Sequence, residues 1–430
     1  MTRMATTTPA WHGSTCGGSR RRPSSTSCRL RRGIRGTSPS TSTGPWLFSR
    51  WRETRQPPAF SVTTSSSSAT ALAPGPPARR WQSCAAVETQ HTRTRGRRPG
   101  GAAGPGGAYI APAMSLTAAQ RDHYDSEGYV VVEGGLDATD LTPVIRDYEA
   151  FIDGETTRLL ESGALSRLYA DEPFERRLAR ICLEDVSIYE QIDLMYCRLR
   201  GVFEFLRNPR LLDLVEGVVG PEITCSPIQH ARAKLPASLL EDSRVPEEHR
   251  QRLRPLVGEN VAPWHQDAQV HLEVADPHAI VTVWVPLVDA TPENGCIQLI
   301  PGVHRESIVF WSEGFGITDE NLPPGDTVTL PMRAGDVLLM DKLIPHRSTP
   351  NHTDGIRWSF DLRYQRAGTP TGRDFYPVFT ARSRAHPDDE FTDFDRWRRD
   401  WKQAVAEIPP PERPRRQDQP GHPRPVQILP

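Results

Sequence analysis

A histidine two residues before a carboxylate is a spacing with chemical meaning. On a strand, side chains alternate from face to face, so the two groups point the same way and can grip one cation. With 13 His and 53 acidic residues in 430 positions, chance alone supplies about 1.6 such triplets. This chain has six: His123-x-Asp125, His265-x-Asp267, His271-x-Glu273, His304-x-Glu306, His352-x-Asp354 and His386-x-Asp388. Completed by a distant second His, one pair would make the facial triad of non-haem iron(II) sites, which leaves coordination positions open.

Context sorts the six. His123 and Asp125 fall in an expected helix, where positions i and i+2 diverge by about 200° and cannot share an ion. His352 lies in the turn composition Asn351-His-Thr-Asp-Gly355, His386 precedes Pro387, and His304 follows the turn signal Pro301-Gly302. His271-Leu-Glu273 is strand-like but lacks partners. Trp264-His265-Gln266-Asp267 has them. Pro345-His346-Arg347-Ser348 supplies a third ligand after the apolar run Asp336–Asp341, and Arg357 follows eleven residues later. A turn over 349–355 should fold those two segments into a hairpin and bring the guanidinium to the cation, where its planar fork suits a carboxylate.

The elements that must position these residues begin near position 114. Thr117-Ala-Ala-Gln120 reads as a capping box opening a helix that stops at Gly128. Tyr129–Val132 reads as a short strand. Leu141, Val144, Ile145, Tyr148, Phe151 and Ile152 recur at helical spacing, with Pro143 expected in the first turn. Asn208-Pro209 caps a further helix ending at Gly220. Beyond it come short β-branched runs: 222–233, 279–288, 296–300, 327–331, 336–340 and 356–364. Helical pattern returns near 391–406. Many short strands after a helical stretch predict a sandwich or barrel with flanking helices. Two charged or Gly/Pro-rich excursions, 236–262 and 303–326, are expected to form a lid.

The two ends differ from this body. Residues 1–113 hold 17 Arg, no Lys and 2 acidic residues, a net charge of +15 that leaves −16 on the remainder of a chain whose total is −1. Without apolar periodicity this segment is expected to be disordered. It reads as a transit peptide, a basic arm or an upstream-called start, the last being preferred because structure signals begin right after Met114. Residues 409–430 are Pro/Arg-rich and expected to be disordered as well. The acidic body argues against a nucleic-acid binder. The seven scattered Cys lack a CxxC pair, so neither a disulfide framework nor a thiolate zinc site is expected. No stretch approaches the ~18 apolar residues of a membrane span. A cytoplasmic protein acting on a small molecule, with neither nucleic acid nor membrane as partner, is the expectation.

Residues 114–366 resemble the phytanoyl-CoA dioxygenase family of iron(II)- and 2-oxoglutarate-dependent oxygenases. The matching stretches are Leu116–Gln120, Gly128–Val132, Trp264–Asp267, Val281–Arg305, Ala334–Asp336, His346–Ser348 and Arg357–Ser359, of which 281–305 is the most specific. The resemblance implies a mainly β fold with flanking helices, built on a double-stranded β-helix (a jelly-roll, cupin-like core), over a catalytic domain of 114–408. It implies Fe(II) on His265, Asp267 and His346, and Arg357 on the distal carboxylate of 2-oxoglutarate. Lys234, Trp284 and Ser348 become further cosubstrate contacts. By residue type alone, Trp284 reads equally as core, Ser348 as a turn cap and Lys234 as a strand-edge lysine. The implied reaction consumes O₂ and 2-oxoglutarate, releases succinate and CO₂ and hydroxylates an unactivated C–H. Relatives that halogenate carry a small residue where Asp267 stands, so hydroxylation, or a desaturation or ring closure by the same oxidant, is the expectation. The alternative is a cupin-like protein that holds a metal or metabolite without turnover.

Overall fold

The computed structural model describes residues 115–259, 262–310, 315–409, 412–416 and 426–427, so the readings of 1–113 lie outside the described residues. In chain order the elements are α1 (Ala118–Glu127), β1 (Tyr129–Val132), α2 (Ala138–Glu161), α3 (Phe174–Cys182), α4 (Arg200–Leu206), α5 (Pro209–Val219), β2 (Glu222–Cys225), β3 (His230–Lys234), α6 (Glu247–Glu259), β4 (Ile280–Pro286), β5 (Ile297–Leu299), β6 (Ile308–Val309), β7 (Val328–Leu330), β8 (Val337–Asp341), β9 (His346–Ser348), β10 (Arg357–Arg366), β11 (Phe379–Ser383), α7 (Phe394–Glu407) and β12 (Val426–Gln427). The capping box at Thr117 forms with both of its hydrogen bonds, and Gly128 ends α1 in the left-handed region. Asn208 caps α5 with Pro209 at its first position. Pro143 sits deeper than expected, because a second capping box at Asp137 starts α2 earlier and leaves the proline inside the helix.

Two antiparallel sheets face each other. The larger runs β1-β8-β4-β10-β2-β11, with β3 also paired to β10; the smaller is β7-β5-β9. Trp284, Leu338 and Met340 of the large sheet pack against Ile297 and Leu299 of the small one. The other face of the large sheet is covered by helices, so Val283, Val285, Leu339, Trp358 and Phe360 share a core with Tyr148, Ile152, Phe203 and Leu211. Strand β4 is therefore buried along its whole length, which explains its unbroken apolar run. This is the double-stranded β-helix, with helices on one side. Trp358, fully buried and stacked on Phe174 at 4.8 Å between ring centres, ties β10 to that helical layer; truncation to Ala would cost ~3–5 kcal/mol.

The decisive strand is β10. Its sequence, Arg-Trp-Ser-Phe-Asp-Leu-Arg-Tyr-Gln-Arg, alternates with period 2. Trp358, Phe360, Leu362 and Tyr364 join the core under the helices. Arg357, Ser359, Asp361, Arg363 and Gln365 take the opposite face, towards the inside of the roll. Register places Lys234 beside Arg357 on one flank, and Trp284 and Thr282 beside Asp361 and Arg363 on the other.

Three expectations change here. Strands β9 and β10 are not a hairpin: β9 pairs with β5 in the small sheet and β10 lies in the large one. The 349–355 segment crosses between sheets, held by Asn351, whose side chain donates to the carbonyls of Lys234 and Gly355. The expected strand 222–233 is two, β2 and β3, each paired to β10. The C-terminal stretch, expected to be disordered, makes contacts at its described residues: Arg416 is buried against Asp276 and β12 pairs with β6. A Pro/Arg composition conceals this because the bonding partners are contributed by the body.

Candidate metal centre

His265 and Asp267 are not on a regular strand. His265 makes an isolated antiparallel bridge to His346, and Asp267 opens a short 3₁₀ turn, Asp267–Val270. The bridge is reciprocal: the His265 amide donates to the His346 carbonyl at 3.0 Å and the His346 amide donates back at 2.9 Å. Two backbone bonds thereby hold the two imidazoles with ring centres 4.1 Å apart. Each Nδ1 faces a backbone carbonyl, His265 that of Pro263 at 2.8 Å and His346 that of Ile344 at 3.0 Å. A carbonyl can only accept, so Nδ1 carries the proton and Nε2 keeps its lone pair. Burial, and then the neighbouring His346, push the His265 imidazolium down to about 4, which keeps the ring neutral near pH 7.

Asp267, 1% exposed, brings a carboxylate oxygen 3.9 Å from His265 Nε2. Burial opposes its ionisation, but Arg363, His346 and His265 outweigh that and hold the carboxyl well below the usual range. One ligand atom each from His265, Asp267 and His346 lies within 4.8 Å of the others. Two neutral imidazoles and one carboxylate on one side, with no fourth protein ligand in the group, fit iron(II) with open positions.

Next to this triad the inner face carries two cations. Arg357, 3% exposed, donates from a terminal nitrogen to Ser359 Oγ at 2.7 Å and lies over the Trp284 ring at 5.2 Å. Lys234, 1% exposed, donates to Ser348 Oγ at 2.9 Å and to the Thr349 carbonyl. Among the described residues no carboxylate lies within 4 Å of either cation in an ion pair. Burial, reinforced by Arg357, pushes the Lys234 ammonium down to about 6. Burial likewise brings Arg357 down to about 10. A buried guanidinium beside a buried amine that can regain its proton, neither in an ion pair with a carboxylate among the described residues, suits a dianion.

The structure thus brings His265, Asp267, His346, Arg357, Lys234, Trp284 and Ser348 to one region. Trp284 is both core and the platform under Arg357. The other histidines are occupied elsewhere: His271 Nδ1 faces the Thr371 carbonyl, His230 pairs with Asp193, and His304 reaches the Asp125 carbonyl. Of the two excursions, 236–262 is largely helical, through α6, whereas the second carries Phe315, whose ring lies 5.1 Å from that of His265. Arg363 and Thr282, both bonded to Asp267, were missed by residue-type reasoning. The polar parity of β10 onward from Arg357 was the signal.

A jelly roll whose inner face gathers two histidines and one aspartate within reach of one cation, beside a buried arginine, is the architecture of the facial-triad metalloenzymes. The sequence profile of the phytanoyl-CoA dioxygenase family matches residues 124–359, and the chain belongs to that family. Its cofactors are Fe(II), 2-oxoglutarate and O₂. The chain is 29% identical over 137 residues to a phytanoyl-CoA dioxygenase of Arabidopsis thaliana, covering 27% of this chain and 47% of that protein. It is 32% identical over 124 residues to a methylphosphonate hydroxylase of Gimesia maris, covering 29% and 46%. The chain thus spans about half the length of these curated relatives. Against the peroxisomal phytanoyl-CoA dioxygenase of Rattus norvegicus it is 25% identical over 265 residues, 58% of this chain and 68% of that one. Among solved structures, the non-heme monooxygenase ThoJ aligns with a TM-score of 0.45 at 17% identity, over 70% of this chain and 96% of that one. No described helix is long and apolar enough to cross a membrane.

Proposed function

We propose that residues 114–408 form an iron(II)- and 2-oxoglutarate-dependent oxygenase that hydroxylates an unactivated C–H bond of a small molecule, with release of succinate and CO₂. The observation that carries this reading is the juxtaposition on one inner face of a His265–Asp267–His346 donor set and the register partners Arg357 and Lys234, both buried. The bound metal and cosubstrate supply the oxidising chemistry. The chain's own residues prepare for it. His265 and His346 present Nε2 lone pairs, fixed by their Nδ1 contacts. Asp267 adds one negative charge and occupies the position that a halide would need, which favours hydroxylation. Arg357 receives the distal carboxylate, steadied by Ser359 and seated on Trp284, while Lys234 and Ser348 close the same end. Phe315, set against His265, limits access of water. The substrate is set by the 303–326 excursion and the polar wall of β10. The relatives named for methylphosphonate and for phytanoyl-CoA differ in substrate, so neither compound is assigned to this chain.

The test is 2-oxoglutarate turnover by the purified full chain with Fe(II), followed as succinate in air and under nitrogen. Oxygen-dependent succinate from the wild type and none from Asp267→Ala is the expected result. Metal binding with no oxygen-dependent succinate, across a metabolite screen, would instead support a non-catalytic cupin-like binder.

A further inference from the structure

We propose that Arg363 and Thr282 form a cross-strand clamp that sets the orientation of Asp267, which makes Arg363 a positioning residue for the metal site. The inference deepens the reading above and rests on it. Both histidines of the triad are pinned through their backbones, by the reciprocal bridge and by their Nδ1 contacts. Asp267 opens a 3₁₀ turn outside any ladder; the backbone bond beside it, from the Ala268 amide to the Lys342 carbonyl at 3.0 Å, anchors the turn but does not set the rotation of its carboxylate. Its side chain is held instead. Arg363 and Thr282 are register partners on β10 and β4 and project to the same face. From there each takes one oxygen of the carboxylate: an Arg363 terminal nitrogen donates to Oδ1 at 2.7 Å, and the Thr282 hydroxyl donates to Oδ2. All three side chains are buried, Arg363 at 3% exposure, Thr282 and Asp267 at 1%.

The clamp fixes what a cation would meet. A carboxylate offers about four lone-pair positions, and the clamp engages one on each oxygen. A free one remains on Oδ1, the oxygen 3.9 Å from His265 Nε2. Arg363 also lies 3.2 Å from Asp361, so its charge is offset and little net positive charge faces the metal. Groups that hold a ligating carboxylate or imidazole are worth ~10–100-fold in metal affinity, and here both come from one register pair of the large sheet.

The experiment uses the full chain stripped of metal and titrated with Co(II), reading affinity and the visible ligand-field spectrum; circular dichroism checks the fold. Arg363→Met is expected to weaken Co(II) binding by ~10–100-fold and to change the spectrum, since the carboxylate is free to rotate. Thr282→Val keeps the side-chain shape, removes one bond and is expected to weaken binding by about three- to ten-fold. Arg363→Lys should restore part of the affinity. If Arg363→Met does not fold, Thr282→Val carries the test. Unchanged affinity and spectrum in the variants, beside a wild type that binds, would overturn the clamp alone. A wild type that binds no Co(II) would overturn the metal centre and the clamp with it.

Discussion

At the scale of single residues, the anion-binding end of the site rests on a buried amine beside a buried guanidinium. Lys234 and Arg357 are neighbours in register and both buried, and the Lys234 ammonium is pushed down to about 6 by burial and by Arg357. At pH 7.5 it is mostly neutral in the empty protein. A dicarboxylate placed between the two favours the charged form and restores the proton. Binding of 2-oxoglutarate at pH 7.5 is therefore expected to take up as much as one proton, seen by calorimetry as a binding enthalpy that depends on the buffer's ionisation heat. No buffer dependence would contradict the pairing. Arg357→Met is expected to weaken 2-oxoglutarate by ~10–100-fold, the loss of charge-assisted bonds, measured in the same titration. That His265, Asp267 and His346 come together was legible from residue type and spacing. Their local setting was not: the His-x-Asp spacing suggested a strand, whereas a β-bridge followed by a 3₁₀ turn also turns both groups to one ion. The polar parity of β10 marks Arg363 as facing inward but does not reveal its partner, Asp267, 96 residues away.

At the scale of elements, the site depends on a close approach of two sheets. Gly295, at φ +90°, enters β5 where a Cβ would collide with the Thr349 carbonyl and stand 2.7 Å from Lys234 Cδ. Gly295→Ala is expected to lower stability by ~1–3 kcal/mol for the backbone conformation alone, read as the urea midpoint. It should also weaken 2-oxoglutarate binding, because Lys234 must move. A variant with wild-type midpoint and affinity would show that the approach is looser than described. Capping signals and short β-branched or apolar runs revealed α1, α5, β4, β8 and β10, since those signals are local. They could not reveal which strands pair. The 349–355 composition suits a hairpin and an inter-sheet crossover equally, and only the register of β9 with β5 and of β10 with β4 decides.

At the scale of the whole molecule, the buried imidazoles tie stability to pH. Burial pushes the His271 imidazolium down to about 3 from an ordinary 6.5. Between those values the unfolded chain binds the proton and the folded one does not, so stability falls as pH drops through the window. His265 acts in the same sense, from 6.5 down to about 4. For the metal-free protein, His271 alone is expected to remove on the order of 2 kcal/mol between pH 7 and 4.5, seen as a lower urea midpoint at the acid end. A midpoint that rises or stays level would contradict this burial. The acid–base asymmetry of the chain was readable from composition, a sandwich or barrel with flanking helices from strand count, and the jelly roll from the family resemblance. The ordered pieces of the C-terminal stretch were not, because Arg416 is held by Asp276, which the local sequence around it does not contain.

The most direct test of the central claim is an anaerobic titration of the metal-free protein with Fe(II) at saturating 2-oxoglutarate, following the visible charge-transfer absorption of the chelated metal. The account predicts a band that saturates at one Fe(II) per chain, is abolished in His346→Ala and Asp267→Ala, and persists in His304→Ala. A wild-type chain without the band, or a band unchanged in His346→Ala, would contradict it.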